Sequence, residues 1–343
     1  MPGIRFTRLV DDFVDNIERQ GATVFRTDES DRRPARLRVI TSSSSTDCLV
    51  FLWTITPGGG GPGVRPANER RIQMTNISGM PLQPGVRTLL GGWSEEHGAY
   101  AFWDARRHTQ FSRRSPSLQV DATTLENASA IGIASQLRPT QHGEEVVISC
   151  APSSLLWYVE NGQPLHNSES DAVAVSDLAT ASVDEEREFI DSSTDEITSA
   201  RRYDLVETMR AYRDAQFRPA VLQAFAYKCA VCSCDLKLVD AAHIVPVSDP
   251  RSTDNVTNGI ALCRLHHGAY DNALLGVQSD YKIVVNPDMS SRLHAIRLDT
   301  ALESFTDALP ESIRVPATRE ARPSPANLRL GLQIRHWPET LIA

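Results

Sequence analysis

Two short pairs of metal-binding residues constrain this chain more than any other feature. Cys229 and Cys232 are separated by two residues, and Cys263 and His266 repeat that spacing further along. Each pair places two donors on the same side of an ion, and two such pairs complete the tetrahedral shell that zinc prefers. In a cytoplasmic protein this spacing favours metal binding over a disulfide. The sequence therefore predicts a structural Zn²⁺ site formed by these four residues.

The other cysteines leave one alternative open. Cys234 can replace Cys232 as a zinc ligand, because a four-residue separation from Cys229 also forms a chelating turn. Cys48 and Cys150 have no partner at a metal-binding spacing, so we expect them to be small core residues.

Length and hydropathy restrict the class of protein. A chain of 343 residues with 41% hydrophobic residues is long enough for two domains and too apolar for a wholly disordered protein. It has no apolar run of the length that a membrane span needs, and its first residues lack the apolar core of a signal peptide. We expect a cytoplasmic protein with no membrane partner.

The acidic residues are concentrated in one segment. The chain has a net charge of -8, yet residues 160–200 alone contain 11 acidic residues and one arginine. Because residues 166–200 are also poor in large apolar side chains, we predict an acidic flexible linker there. An acidic segment that mimics DNA is the alternative. The linker would separate a domain at 1–165 from a domain at 201–343.

The fold class that we predict is α+β. Short segments with alternating or β-branched residues lie in 1–165 and predict a β-rich, barrel-like domain. Leu9, Phe13 and Ile17 recur every four residues and predict one helix over 8–20. After the linker we predict two helices, the second beginning at Pro219, and then the zinc-stabilised module.

Residues between and after the zinc-binding pairs carry a specific motif. His243 lies in Ala-His-Ile-Val-Pro, Asn258 is followed by glycine, and His267 follows His266 directly. With these residues, the segment 217–277 resembles an HNH endonuclease domain, which has the ββα-metal fold. The resemblance implies DNA cleavage by phosphodiester hydrolysis.

Each motif residue has an expected role. A histidine is a suitable general base at neutral pH, so His243 would take a proton from water. Asn258 would fix the imidazole of His243 through its side-chain carbonyl. His267 would hold a catalytic divalent cation, Mg²⁺ or another, on the phosphate.

The sequence departs from the family at one position. Many members have Asp or His directly before the general base as a second metal ligand, and this chain has Ala242 there. Asp240 or Asp271 would supply the missing carboxylate, and Asp240 is placed first.

The N-terminal domain would select the target. A β-rich reader fused to a C-terminal HNH domain resembles the modification-dependent restriction endonucleases, some of which flip a modified base into an aromatic pocket. The candidate aromatic residues are Trp53, Trp93, Tyr100, Phe102, Trp103, Trp157 and Tyr158. Trp93 and Trp103, with Arg106 and Arg107 on the phosphates, are the expected DNA-binding residues.

Three functions therefore remain in competition. The first is a restriction endonuclease that acts on double-stranded DNA with a modified base, such as methylated or hydroxymethylated cytosine. The second is a defence nuclease activated by a small nucleotide, and the third is a non-catalytic, zinc-stabilised DNA-binding protein. A homodimer would suit the first function, because one HNH site cuts one strand.

Overall fold

The chain forms two compact units. They comprise Met1–Arg213 and Asp214–Ala343. The computed structural model describes residues 4–28, 31–41, 44–58, 66–75, 77–111, 116–140, 143–181, 183–193 and 196–342. The division falls within a helix and lies beyond the segment predicted as a linker.

The N-terminal unit is built on β-sheets. Its strands, within the described residues, are β1 (Thr23–Arg26), β2 (Ala35–Ile40), β3 (Ser45–Thr54), β4 (Thr56–Pro57), β5 (Glu69–Gln73), β6 (Val86–Ser94), β7 (Ala99–Trp103), β8 (Ser117–Asp121), β9 (Ile133–Thr140) and β10 (Gly143–Cys150). Seven of them form one sheet in the order β1-β2-β3-β6-β7-β10-β9, and β4-β5-β8 form a smaller one. Of the strands described here, only β3 and β6 pair in parallel. The α+β class is confirmed, but the large sheet is open at β1 and β9 and not a closed barrel.

The large sheet is covered on both faces. In β3, Cys48, Val50 and Leu52 are buried in one core, while the alternate residues Leu49, Phe51 and Trp53 are buried in another. Successive side chains of a strand point to opposite faces, so a strand between two cores is apolar throughout. This explains the continuous apolar run Cys48–Trp53.

Helices pack on this sheet. Within the described residues of the unit they are α1 (Phe6–Arg19), α2 (Ala122–Ile131), α3 (Leu155–Asn161), α4 (Ala174–Leu178), α5 (Val183–Asp191) and α6 (Glu196–Ala224). The predicted first helix is confirmed: Leu9, Phe13 and Ile17 are buried against the sheet. Gly21, with a φ of 101°, follows the end of α1, where a left-handed residue favours glycine.

The described part of 166–200 is helical, which differs from the flexible linker that we predicted. Ala172, Val175 and Leu178 recur every three residues and are buried in the same core as α1. The acidic charge is partly neutralised by arginines of α6, which follow residue 200. The composition of the segment alone therefore could not indicate its packing.

Glu186 is the clearest example of that neutralisation. Its side chain is fully buried; it accepts a hydrogen bond from Nε of Arg210 at 2.7 Å and another from Arg213. Nearby, Nε of Arg202 lies 3.0 Å from Oδ1 of Asp171. Burial raises the pKa of Glu186, but its hydrogen bonds to Arg210 and Arg213 outweigh that effect and hold the pKa below its usual range. These ion pairs fix α5 and the preceding segment on α6.

The C-terminal unit begins in α6, which includes Pro219 and so is one helix where we predicted two. The other elements are β11 (Val239–His243), β12 (Gly259–Cys263), α7 (Arg264–Asp271), β13 (Leu275–Val277), β14 (Ile283–Val285), α8 (Pro287–Ala295), α9 (Leu302–Asp307) and α10 (Pro325–Ile334). Strands β11 and β12 pair antiparallel, with His243 opposite Gly259, and α7 packs against both. None of the described helices is both long and apolar enough to span a membrane.

A close approach explains the glycine after Asn258. A Cβ atom at Gly259 would lie 2.2 Å from Cγ2 of Val221 and 3.0 Å from Cζ of Phe217. Residue 259 therefore has no room for a side chain, and β12 packs directly on the end of α6.

Candidate active site and metal centre

Four metal-binding side chains converge in the C-terminal unit. Cys229 and Cys232 lie in the turn after α6, Cys263 ends β12, and His266 lies in the first turn of α7. Their donor atoms all lie within 4.8 Å of one another. Because Cys263 is also the N-cap residue of α7, the two-residue spacing brings the donors of Cys263 and His266 to the same side.

The distances between donors are close to those of a tetrahedral zinc shell. Nδ1 of His266 lies 3.6 Å from Sγ of Cys229 and 3.2 Å from Sγ of Cys263. Sγ of Cys232 lies 3.8 Å from Sγ of Cys263. Zinc–sulfur bonds of ~2.3 Å and zinc–nitrogen bonds of ~2.0 Å at tetrahedral angles require separations of roughly 3.5–3.8 Å. The cluster can therefore bind zinc with four protein ligands.

Two thiols of the cluster have pKa values that are shifted in opposite directions. Burial raises the pKa of Cys229, but hydrogen bonds from His266 and from backbone N–H groups outweigh it and bring the pKa to about 6. Burial and the neighbouring thiols raise the pKa of Cys232 to about 12. Several thiolates this close together repel one another unless a cation lies between them. A divalent metal supplies that charge.

The remaining cysteines lie outside the cluster. Cys234 does not belong to the group of four, so its alternative role as a ligand has no support in the geometry. Cys48 and Cys150 are buried in the core of the N-terminal unit, and burial raises the pKa of both thiols, to about 12 for Cys48. They are core residues, as we expected.

His243 is held on two sides. It ends β11, and its Nε2 lies 2.9 Å from Oδ1 of Asp254. Its imidazole stacks on the ring of Phe217 with a centroid distance of 3.7 Å and an interplanar angle of 17°. A carboxylate only accepts hydrogen bonds, so Nε2 carries the proton and Nδ1 of the neutral ring keeps its lone pair. The side chain is 21% exposed, which leaves it accessible to water.

Asp254 is the residue that sequence reasoning missed. It lies in the loop between β11 and β12, eleven residues after His243, where no spacing rule pairs it with a histidine. The only available signal was its position inside the segment that the motif encloses.

The described hydrogen bonds of the Asn258 side chain go to the loop and not to the imidazole, which differs from the role that we predicted. Its side chain is 1% exposed; Oδ1 accepts a hydrogen bond from the backbone N–H of Val245 at 3.0 Å. Nδ2 donates to the backbone carbonyl of Thr253 at 2.9 Å, and contacts the carbonyl of Val245 and Oγ of Ser252 at 3.3 Å each. A buried amide has several donors and acceptors to satisfy, and here they fix the loop that carries Asp254.

Of the expected ligands of the catalytic metal, the structure brings His267 and Asp271 together. His267 projects from α7, with its Nε2 3.4 Å from Oδ2 of Asp271. Asp240 accepts a hydrogen bond from Nε of Arg218 at 2.7 Å. By strand alternation Asp240 lies on the same side of β11 as Ala242, the position of the family's second ligand, so its role as that ligand stays a prediction. Among the described residues, the cysteine cluster is the only group of three or more such donors.

The aromatic residues predicted for DNA binding mostly belong to the core. Trp103 is 2% exposed and donates its indole N–H to the carbonyl of Gln119 at 3.2 Å. Trp93 is half-buried, with its ring centroid 4.6 Å from that of Tyr100. The other members of that group are at least nine-tenths buried: Trp53, Tyr100, Phe102, Trp157 and Tyr158.

The predicted arginines are at the surface. Arg106 is exposed and forms a two-point ion pair with Asp104, with N···O distances of 2.8 Å, and also donates to Asn167. Arg107 is exposed as well. Trp103 is almost fully buried and forms no exposed stacking surface, so its role in DNA binding stays a prediction.

Comparison with known proteins gives two family matches. Residues 229–278 match the model described as HNH endonuclease, and residues 46–159 match the model described as MTaX1, Methylase-associated X1. No curated protein matches the chain.

A solved structure also resembles the chain. It is titled "Modification dependent TagI restriction endonuclease", is 14% identical, and the match covers 84% of this chain and 81% of that one with a TM-score of 0.28.

The HNH match begins at the first zinc-binding cysteine and ends after α7. It includes the zinc cluster, the strand with His243, the loop with Asp254 and Asn258, and the helix with His267. The C-terminal unit therefore contains an HNH endonuclease domain, and the chain is a nuclease.

Proposed function

We propose that this chain is a metal-dependent DNA endonuclease in which His243 is the general base. The observation that carries the proposal is the contact of Nε2 of His243 with Asp254 and its stacking on Phe217, which leave Nδ1 oriented and able to accept a proton. Water gives this proton to Nδ1 as its oxygen attacks phosphorus, and the bond to the leaving oxygen breaks. The carboxylate of Asp254 stabilises the imidazolium that forms, much as a carboxylate does behind the histidine of a catalytic triad.

His267 would hold the catalytic divalent cation, with water molecules and phosphate oxygens as its other ligands. Such a cation neutralises charge on the phosphate and on the leaving oxygen. Mg²⁺ keeps several water ligands and binds through few side chains, so a site without a preformed cluster of donors suits it. The zinc cluster is separate, because its four protein ligands leave no position for substrate, and its role would be structural.

We propose further that the chain is a restriction enzyme and that residues of the N-terminal unit read a modified base. Two observations support this proposal. A small nuclease module has little sequence specificity of its own, and the chain has a separate sheet-based unit that matches a different family. DNA would be cut on both strands by a homodimer.

The description of the N-terminal family favours a second candidate. A domain associated with methylases would also suit an enzyme that cuts unmodified DNA while a partner methylase protects the host. The two candidates share their chemistry and differ in which DNA is spared.

One cleavage assay separates them. The same long DNA is synthesised with cytosine, 5-methylcytosine or 5-hydroxymethylcytosine and incubated with the full chain in Mg²⁺ or Mn²⁺, with His243→Ala as the blank. Cutting restricted to a modified DNA supports the first candidate, and cutting restricted to unmodified DNA supports the second. If no DNA is cut with any of these cations, the endonuclease proposal fails.

A further inference from the structure

A cavity of about 220 Å³ lies in the N-terminal unit, and none of the residues of the nuclease site lines it. Its apolar walls include Leu89, Trp103 and Tyr158. Each of these three residues is almost completely buried from solvent. At ~30 Å³ per water molecule, this volume holds roughly seven waters, which is the size of one planar heterocycle rather than of a large ligand.

One wall of the cavity is rigid and neutral. Nδ1 of His166 lies 2.9 Å from the carbonyl of Val146, and its Nε2 lies 2.8 Å from Oη of Tyr158. The carbonyl can only accept, so Nδ1 carries the proton and Nε2 accepts from the tyrosine hydroxyl. Burial lowers the pKa of His166, which is consistent with a neutral ring. The wall therefore has a fixed shape.

The polar lining carries complementary groups. Asp104 is 8% exposed and is held by Arg106 through paired hydrogen bonds, so these two charges offset each other. Arg87 is anchored by a hydrogen bond to the carbonyl of Val159, and in the described part of the chain no carboxylate forms an ion pair with it. The cavity thus has donors and acceptors for the edge of a base, and one guanidinium group whose charge is not neutralised.

A second cavity of about 550 Å³ shares three lining residues with the first: Arg87, Arg106 and Gln163. Both of its carboxylates are engaged, Glu207 by Arg210 at 2.6 Å and Glu160 by the hydroxyls of Thr41 and Ser44. Two guanidinium groups therefore lie where the small cavity meets the large one. Arginine is the residue best suited to bind phosphate there.

We propose that the joined cavities bind one nucleotide, with its base in the small cavity and its phosphate at Arg87 and Arg106. A nucleotide bound in this way has two sources. One is a nucleotide flipped out of duplex DNA, and this source rests on the proposed function as a DNA endonuclease. The other is a free mononucleotide, which would be an effector of the nuclease.

The test uses the full chain carrying His243→Ala, so that DNA is bound but not cut. Isothermal titration calorimetry measures binding of the four deoxynucleoside monophosphates and of 5-methyl-deoxycytidine monophosphate. Fluorescence of duplex oligonucleotides containing 2-aminopurine measures DNA binding and base flipping, because that base brightens when it leaves the stack.

Gln163→Glu is the discriminating variant. Gln163 is exposed and lines both cavities, so the change adds a carboxylate beside the phosphate position at almost constant shape. We expect binding to weaken at least about tenfold. Gln110→Glu is the matched control, since Gln110 is exposed in the same unit and lines neither cavity.

Each result decides the proposal. Weaker duplex binding in Gln163→Glu alone, with loss of the fluorescence increase, supports the site with DNA as its source. Weaker mononucleotide binding in that variant alone supports it with a free nucleotide as its source. Absence of both kinds of binding, an unchanged affinity in Gln163→Glu, or an equal loss in Gln110→Glu overturns it. Cleavage by the wild-type chain is measured separately, so a nuclease without this site remains distinguishable.

Discussion

Nε2 of His243 lies 2.9 Å from Oδ1 of Asp254, and the imidazole ring stacks on the ring of Phe217. A carboxylate on one nitrogen and an aromatic ring on one face leave the other nitrogen as the single position for proton transfer.

His243→Ala removes that position. We expect cleavage to fall roughly 10²–10⁴-fold, because a general base contributes that much to the rate. Single-turnover cleavage of a radiolabelled duplex measures the loss, and an unchanged zinc content shows that the fold is intact. Activity within a few fold of wild type would remove His243 from this role.

Asp254→Asn tests the carboxylate itself. The amide keeps the shape but cannot stabilise the imidazolium, so we expect a loss of roughly 10²-fold or more. Asp249→Asn is the control: Asp249 lies in the same loop and pairs with Arg251. An equal loss of rate in Asp254→Asn and Asp249→Asn would mean that Asp254 only shapes the loop.

Cys229→Ser should remove the zinc and unfold the C-terminal unit, because a structural metal contributes much of the stability of a small module. Cys234→Ser is the matched control, since Cys234 lies five residues along the same turn and outside the cluster. Zinc content is measured by plasma emission spectrometry. Unfolding of the C-terminal unit is followed by the fluorescence of Trp337, the tryptophan of that unit. Equal zinc loss in both variants would show that Cys234 is also a ligand.

Glu186→Gln should destabilise the N-terminal unit by ~1–3 kcal/mol at neutral pH, because the charged hydrogen bonds to Arg210 and Arg213 are lost. Glu188→Gln on the same helix is exposed and should have little effect. Denaturant unfolding followed by circular dichroism gives the free energies.

The effect of Glu186 has a defined pH dependence. The pKa of Glu186 is lowered in the folded chain, so its stabilisation is complete above the unfolded value of about 4.3 and is lost as the pH falls through the folded value. The difference between wild type and Glu186→Gln should therefore be constant near neutral pH and shrink in acid. A difference that is independent of pH would contradict an ionised Glu186.

The features that sequence could predict are those fixed by short spacing. The zinc ligands follow from two pairs with two intervening residues, and helix α1 follows from Leu9, Phe13 and Ile17. Both patterns express local geometry, which a single sequence contains directly.

Other features depended on partners distant in the chain. The core position of Trp103 depends on strands from across the sheet, and the contact of Asp254 with His243 depends on how Asn258 folds the loop between them. The packing of 166–200 was missed for the same reason, since Arg202, Arg210 and Arg213 come after the segment that they neutralise.

The packing of α4 and α5 restricts where recombination can exchange the N-terminal unit of such a protein for another one. If the acidic segment were only a tether, a nuclease could acquire a new reader by recombination anywhere between residues 166 and 200. Because Ala172, Val175 and Leu178 complete the core of the sheet, a cut there would leave the donor sheet with an exposed apolar face and the recipient with helices that fit another surface. A productive exchange must carry the chain as far as Arg213 together with the sheet, so the inherited unit is about fifty residues longer than the composition of the sequence indicates.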